Sequence, residues 1–209
     1  MGILTRWPLL GLAALTLMAA EHQLQSEDTA YPEKQIIQPG TDDMASGALS
    51  DPHKVWYLNG IDGTWLAVGQ PNTLNRRDRV VFRFPISHLV PTGEIKNAVL
   101  VFKYSSGGKQ KRNNIIQIEH FNVERIKLSG NDLISNAVEP VTQFAVLPEV
   151  RNKKITFDVS EKINSDIISG FGFSTFRIKS ITADELGNIA MESSYVTVKN
   201  NSIKLFIEP

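Results

Sequence analysis

The chain has 209 residues, of which 42% are apolar and 21% charged, close to ordinary globular usage. That length holds one sandwich-sized domain with a tail and is enough to bury a real core. Its 22 basic and 22 acidic residues cancel, so no global field draws it onto nucleic acid or an acidic membrane. There is no cysteine, which removes thiolate catalysis, Cys-based zinc sites, a lipid anchor on Cys and any disulfide framework.

Residues 1–20 read as a secretory signal peptide. One positive charge, Arg6, precedes an uncharged Leu- and Ala-rich run from Trp7 to Ala20 that ends in small residues. The run is too short for a comfortable membrane span, which needs roughly 20 apolar residues; an uncleaved N-terminal anchor is the alternative. Loss of this segment leaves 21 basic against 22 acidic residues, a formal charge of −1. The expected location is secreted, extracellular or periplasmic, with the membrane met only through the export signal. Residues 21–34 are polar, lack an apolar period and contain Pro32, the composition of a flexible leader.

From Gln35 to Pro209 the pattern is short apolar runs broken by Gly, Pro, Asn and Asp, which predicts strands and turns. Lys54–Leu58 and Trp65–Gly69 are short candidates. In Arg79–Phe84, Val80, Phe82 and Phe84 share one face and Arg79, Val81 and Arg83 the other, and Pro85 ends the run. Asn97–Tyr104 places Ala98, Leu100, Phe102 and Tyr104 together. Asn114–Val123 follows after the basic loop Lys109–Arg112. Later strands are Lys154–Val159, Gly170–Ile178, Tyr195–Lys199 and Ser202–Ile207, with Asn200-Asn201 suited to a tight hairpin between the last two. Ser160–Ser169 suits a short helix with Ser160 as N-cap and Ile163, Ile167 and Ile168 on one side; a second turn is expected near Asp184–Leu186. The expected fold is all-β: a jelly-roll β-sandwich of two antiparallel sheets with a short helical insert.

Catalytic spacing is absent. The four histidines (His22, His53, His88, His120) show no paired ligand pattern, and no nucleophile elbow, P-loop or dinucleotide cradle occurs. His120 reads as a half-buried polar residue on a strand, and Gly170-Phe171-Gly172 as a bulge or close packing. Asp42, Asp43, Asp51, Asp62 and Asp78 have no spacing that singles out a glycosidase pair. Asp42 and Asp43 are at most weak ligands for a structural calcium; no other cofactor is expected.

What remains is an inventory for binding. Trp56, Tyr57 and Trp65 are flat platforms for sugar faces, or else ordinary sheet-packing residues. Arg79, Arg83 and Lys103 would project from the sheet face opposite the core if their strands lie near each other. Guanidinium groups grip carboxylates by two hydrogen bonds, so with Lys109, Lys111 and Arg112 the set suits an acidic polysaccharide. The alternative is a solvated outer face.

The order of Gln35–Gly47, Thr64–Gly69 (TWLAVG), Arg79–Leu89 (RVVFRFPISHL) and Gly93–Tyr104 (GEIKNAVLVFKY) resembles the opening half of DNRLRE-domain proteins. Thr156–Val159, Gly170–Ile178 and Ser202–Ile207 fit the closing half, so the resemblance spans roughly residues 35–209. It departs between Asn122 and Gln143, where a Trp-containing segment is expected and none is found. The family is similar to jelly-roll carbohydrate-binding modules, some of which bind alginate-type polymers. The resemblance implies a non-catalytic, exported polysaccharide-binding module. A structural or adhesive cell-surface domain with protein partners is the alternative, and a polysaccharide-degrading enzyme a more distant one.

Overall fold

The computed structural model describes residues 35–208 apart from 51–54, 59–64, 71–76, 93–94, 107–113, 126, 135–137 and 182–193. The export signal, the leader, His22, His53, Asp51, Asp62, the 109–112 loop and the turn near Asp184 lie outside the described residues. The chain is all-β. Twelve strands occur in the order β1 (Gln35–Ile37), β2 (Met44–Ser50), β3 (Val55–Leu58), β4 (Trp65–Gln70), β5 (Arg77–Pro85), β6 (Asn97–Ser106), β7 (Asn114–Phe121), β8 (Glu139–Val146), β9 (Lys153–Asp158), β10 (Phe173–Ser180), β11 (Ser194–Lys199) and β12 (Lys204–Glu208). The α-helix among the described elements, α1 (Ser160–Ile168), sits between β9 and β10.

Every pairing is antiparallel, and the strands form two packed layers. One layer is built on β6, flanked by β12 and β11 on one edge and by β9 on the other, with β1 beyond β12 and β4 beyond β11. The second runs β3-β2-β5-β10-β7-β8. The layers join where Gly69 of β4 meets Asp78 of β5. Gly69 has φ of +100° there, a conformation that only glycine adopts without strain.

The alternation read from the sequence builds the core between the layers. Val80, Phe82 and Phe84 of β5 pack with Ala98, Leu100, Phe102 and Tyr104 of β6 in a single buried cluster. Phe82 stacks on Phe176 at 5.9 Å, while Phe144 of β8 bridges to Tyr104 and Phe157 at 5.6 and 5.5 Å. Each such buried side chain contributes on the order of 1.5–3 kcal/mol. Without disulfides, this cluster carries the fold.

Three local expectations are corrected. Asn200-Asn201 does not make a hairpin: β11 and β12 follow one another along the same edge of β6, so residues 200–202 are a kink in one broken course. Ser160 is the first helical residue, not the N-cap. Its amide and hydroxyl both bond Asp158, and its oxygen accepts the Ala98 N–H. Ile168 is 82% exposed while Ile163 and Ile167 are buried, because one residue beyond the i, i+4 pair turns it off that face; Asp166 takes the buried place.

Gly170 also has a different task from the one expected. It lies at φ +75° just past the helix, its N–H bonding Ile167 O while Phe171 N–H bonds Asp166 O. That pair of bonds is a Schellman stop.

Candidate functional site

Trp56 and Tyr57 lie on β3, opposite Leu49 and Ala48 of β2, and Trp65 opens β4 opposite Lys199 of β11. Their side chains lie outside the described residues. Arg79 and Arg83 lie on β5 and Lys103 on β6. Since Val80, Phe82 and Phe84 meet Ala98, Leu100 and Phe102 in one core, Arg79 and Arg83 share one outer face of the sandwich and Lys103 belongs to the other. The expected trio of cations is therefore not assembled.

Arg83 is 2% exposed. Its Nε donates to Asp43 Oδ1 at 2.7 Å, Nη1 donates to the Arg125 carbonyl, and the guanidinium lies 4.0 Å from the Phe173 ring centroid. This accounts for Asp43 as well, one of the two weak calcium candidates; Asp42 is exposed. Among the described residues no group of three or more His, Asp or Glu could hold a metal.

The face around Arg83 is covered rather than solvated. The described residues of the segment 121–133 fold across it and bury Phe121, Val123, Leu128 and Leu133 against Ala45 and Val81. Arginines fasten that segment by its carbonyls: Arg83 to Arg125 O, Arg177 to Asp132 O at 3.3 Å and Arg79 to Leu133 O at 2.7 Å. A buried carbonyl needs a donor, and a charged one is the stronger. Beneath the segment Glu119 accepts from Arg177 and from Lys179, at 2.6 and 2.7 Å. Burial alone would raise the Glu119 carboxyl, but the hydrogen bonds and charges of Lys179 and Arg177 outweigh it and hold the group below its usual range. The absence of a tryptophan between Asn122 and Gln143 thus coincides with a segment that closes this face.

The opposite outer face presents cations instead. Lys103 pairs in register with Lys154 of β9, and both are exposed. On the other edge of β6 the register Val196↔Ser106, Thr197↔Ser105, Val198↔Tyr104 brings Lys199 to the level of Lys103. Ser202 links the two backbones there, its hydroxyl donating to Lys199 O and accepting the Lys103 N–H at 2.6 and 2.7 Å. Trp65 is the register partner of Lys199. One cross-strand row thus reads Trp65, Lys199, Lys103, Lys154, and Lys204, opposite Val101, is diagonal to Lys103. Like charges directly opposite one another destabilise a sheet.

The sequence pointed to Trp65 and Lys103 but missed Lys154, Lys199 and Lys204. Their alternation with inward-facing Phe157, Val198 and Leu205 was visible; the register that aligns them was not.

His120, Asp166 and Ser174 also converge, with His120 Nε2 2.8 Å from Asp166 Oδ2 and 3.4 Å from Ser174 Oγ. Both partners use the same ring nitrogen. A proton relay divides acid and nucleophile between the two nitrogens, and Ser174 is wholly buried. The cluster ties α1 to the second layer, aided by Lys162–Glu139 on the surface. That pair lowers the Glu139 carboxyl and raises the Lys162 ammonium through their hydrogen bond.

No family model and no curated protein matches the chain. Among solved structures it is similar to a latent aurone synthase (a polyphenol oxidase), with 13% identity and a TM-score of 0.33 over 82% of this chain. The match spans only 26% of that enzyme's chain, and at that TM-score it carries nothing about activity. Among the described residues no helix is long and apolar enough to cross a membrane.

Proposed function

We propose that this protein is an exported, non-catalytic module that binds an acidic polysaccharide on the outer face of the β6 layer. The observation that carries the reading is the cross-strand row of Lys199, Lys103 and Lys154, with Lys204 beside it and Trp65 in register at its head. Strands about 4.8 Å apart put a cation on each of three neighbours. Such a line attracts a polymer of carboxylates and relieves the like-charge repulsion of the Lys103–Lys154 pair when the polymer is bound. Trp65 enters by its register position, as an aromatic platform for a sugar ring next to the cations. The resemblance to DNRLRE-domain proteins agrees with this role and with export. Arg79 and Arg83 have internal work in fastening the 121–133 segment, so the reading no longer rests on them.

The test is calorimetric titration of the purified protein with polygalacturonate and alginate, beside a neutral glucan. The double variant Lys103→Ala/Lys154→Ala is expected to weaken binding to the acidic polymers at least about tenfold, since two charge-assisted contacts go. Its thermal unfolding should stay close to that of the parent protein, which separates a loss of binding from a loss of fold. Equal binding by the double variant would remove the lysine row from the site, and no binding of either acidic polymer by the folded protein would transfer the function to a surface domain with protein partners.

A further inference from the structure

We infer that the outer face of the second layer carries a separate saccharide site, one that takes a neutral polyhydroxylated chain rather than a polyanion. It lies across the core from the lysine row and does not depend on that row binding anything.

The 121–133 segment covers only part of this face. Beneath the part that follows Phe121 lie the levels of Arg83 and Thr175, and of Val81, Arg177 and Glu119, all buried. One level further along the strands lies a row that the described part of the segment does not bury. There Gln143 of β8 is opposite Gln117 of β7, and Gln117 is opposite Lys179 of β10. The register that pairs Ile178 with Val80 brings Arg79 of β5 beside Lys179. Gln143 is exposed, and Gln117, Lys179 and Arg79 are half-buried. Four neighbouring strands thus form a polar floor roughly 14 Å long, running along the foot of a wall that Arg79 itself holds by the Leu133 carbonyl.

The floor is pre-oriented. Gln143 Nε2 donates to Gln117 Oε1 at 2.9 Å, Gln117 Nε2 donates to Glu119 Oε1 at 2.7 Å, and Lys179 Nζ reaches the same oxygen at 2.7 Å. Each amide is fixed by the next, which lowers the ordering cost of receiving a ligand. An amide nitrogen has two N–H groups and an amide oxygen two lone pairs, so the chain of bonds leaves donors and acceptors alternating along the strip. Hydroxyls, which both donate and accept, match that alternation. Carboxylates match it less well: they accept only, so they leave the amide oxygens and Glu119 without a donor.

Apolar surface for the C–H faces of a sugar is also present. Ile115, two residues before Gln117 on the same side of β7, is 41% exposed, and Ile134, next to the held Leu133, is 42% exposed. They border the polar floor, the mixture typical of a small-molecule site.

The experiment follows the side-chain amide signals of the whole protein by NMR during titration with neutral hexasaccharides of β-1,4-glucan, β-1,4-xylan, β-1,4-mannan and β-1,3-glucan, and separately with hexagalacturonate. At least one neutral sugar is expected to shift the Gln117 and Gln143 amides. That binding should fall at least tenfold in Gln117→Ala or the exposed Gln143→Ala, and persist in Lys103→Ala/Lys154→Ala. Silence of both amides with all four neutral sugars would overturn the proposal, as would shifts produced by hexagalacturonate alone. Loss of neutral binding in the lysine variant would mean that the sugar occupies the other face.

Discussion

The Arg83 guanidinium touches three separate parts of the chain: Asp43 ahead of β2, the Arg125 carbonyl in the covering segment and the Phe173 ring at the start of β10. Removing it orphans a carbonyl and a carboxylate that is itself mostly buried. Arg83→Ala is therefore expected to cost about 3 kcal/mol of stability, read as a shift of the urea midpoint at unchanged m-value. A ligand-binding arginine on an open face would give the opposite pattern, with affinity lost and the midpoint unmoved. Lys103 is the contrasting residue. It differs from Arg83 not in the sequence pattern around it but in being exposed where Arg83 is buried.

At the level of elements, α1 is fixed at both ends by groups outside its own hydrogen-bond ladder. Asp158 serves its first turn, and Asn164 bonds the Ile95 N–H and carbonyl at 3.0 and 2.9 Å. Gly170 closes its C-terminus. A Cβ at Gly170 would meet nothing within 4 Å, so space does not decide the effect of substitution; the φ of +75° does. Gly170→Ala is expected to cost about 1 kcal/mol. Gly172→Ala, with equally open space and no positive φ, should be close to neutral. Thermal melts of the two variants side by side check this, and equal losses would refute the assignment of Gly170 as the helix stop. The covering segment is a second element set partly by others: beyond the short 3-10 turn Gly130–Leu133, its described residues are placed by arginines of β5 and β10 and by the apolar cluster beneath them.

For the whole molecule, a formal charge of zero conceals an uneven distribution. The lysines of the row lie on one outer face, while on the other face Glu119 is shared by Lys179 and Arg177 and Asp43 pairs with Arg83. Net charge is thus a poor guide to what this protein attracts, since the fields that matter decay over roughly 8 Å at physiological salt. Binding of polygalacturonate is expected to weaken steeply between 50 and 300 mM salt, roughly in proportion to the cations engaged. The slope should be shallower for Lys103→Ala/Lys154→Ala. Titrations at several salt concentrations check this; a salt-independent affinity would remove the lysine row from the interface.

The sequence by itself determined the fold class, most strand positions, the helix and the inward faces of β5 and β6, because these depend on alternation and on turn residues that act locally. It also pointed to Trp65 and Lys103. It did not disclose β8, whose Glu139-Pro140 start and single flanking strand carry little alternating pattern. Nor did it disclose that Arg79 and Arg83 are fastenings. Arg83 and Asp43 lie 40 residues apart, and the arginine–carbonyl bonds involve backbone oxygens that no residue type announces. The alignment of Lys199, Lys103 and Lys154 was equally hidden. Period-2 alternation states which face a residue occupies within its own strand, whereas the register between strands, and which outer face stays open to solvent, are decided only when the two layers close on their core.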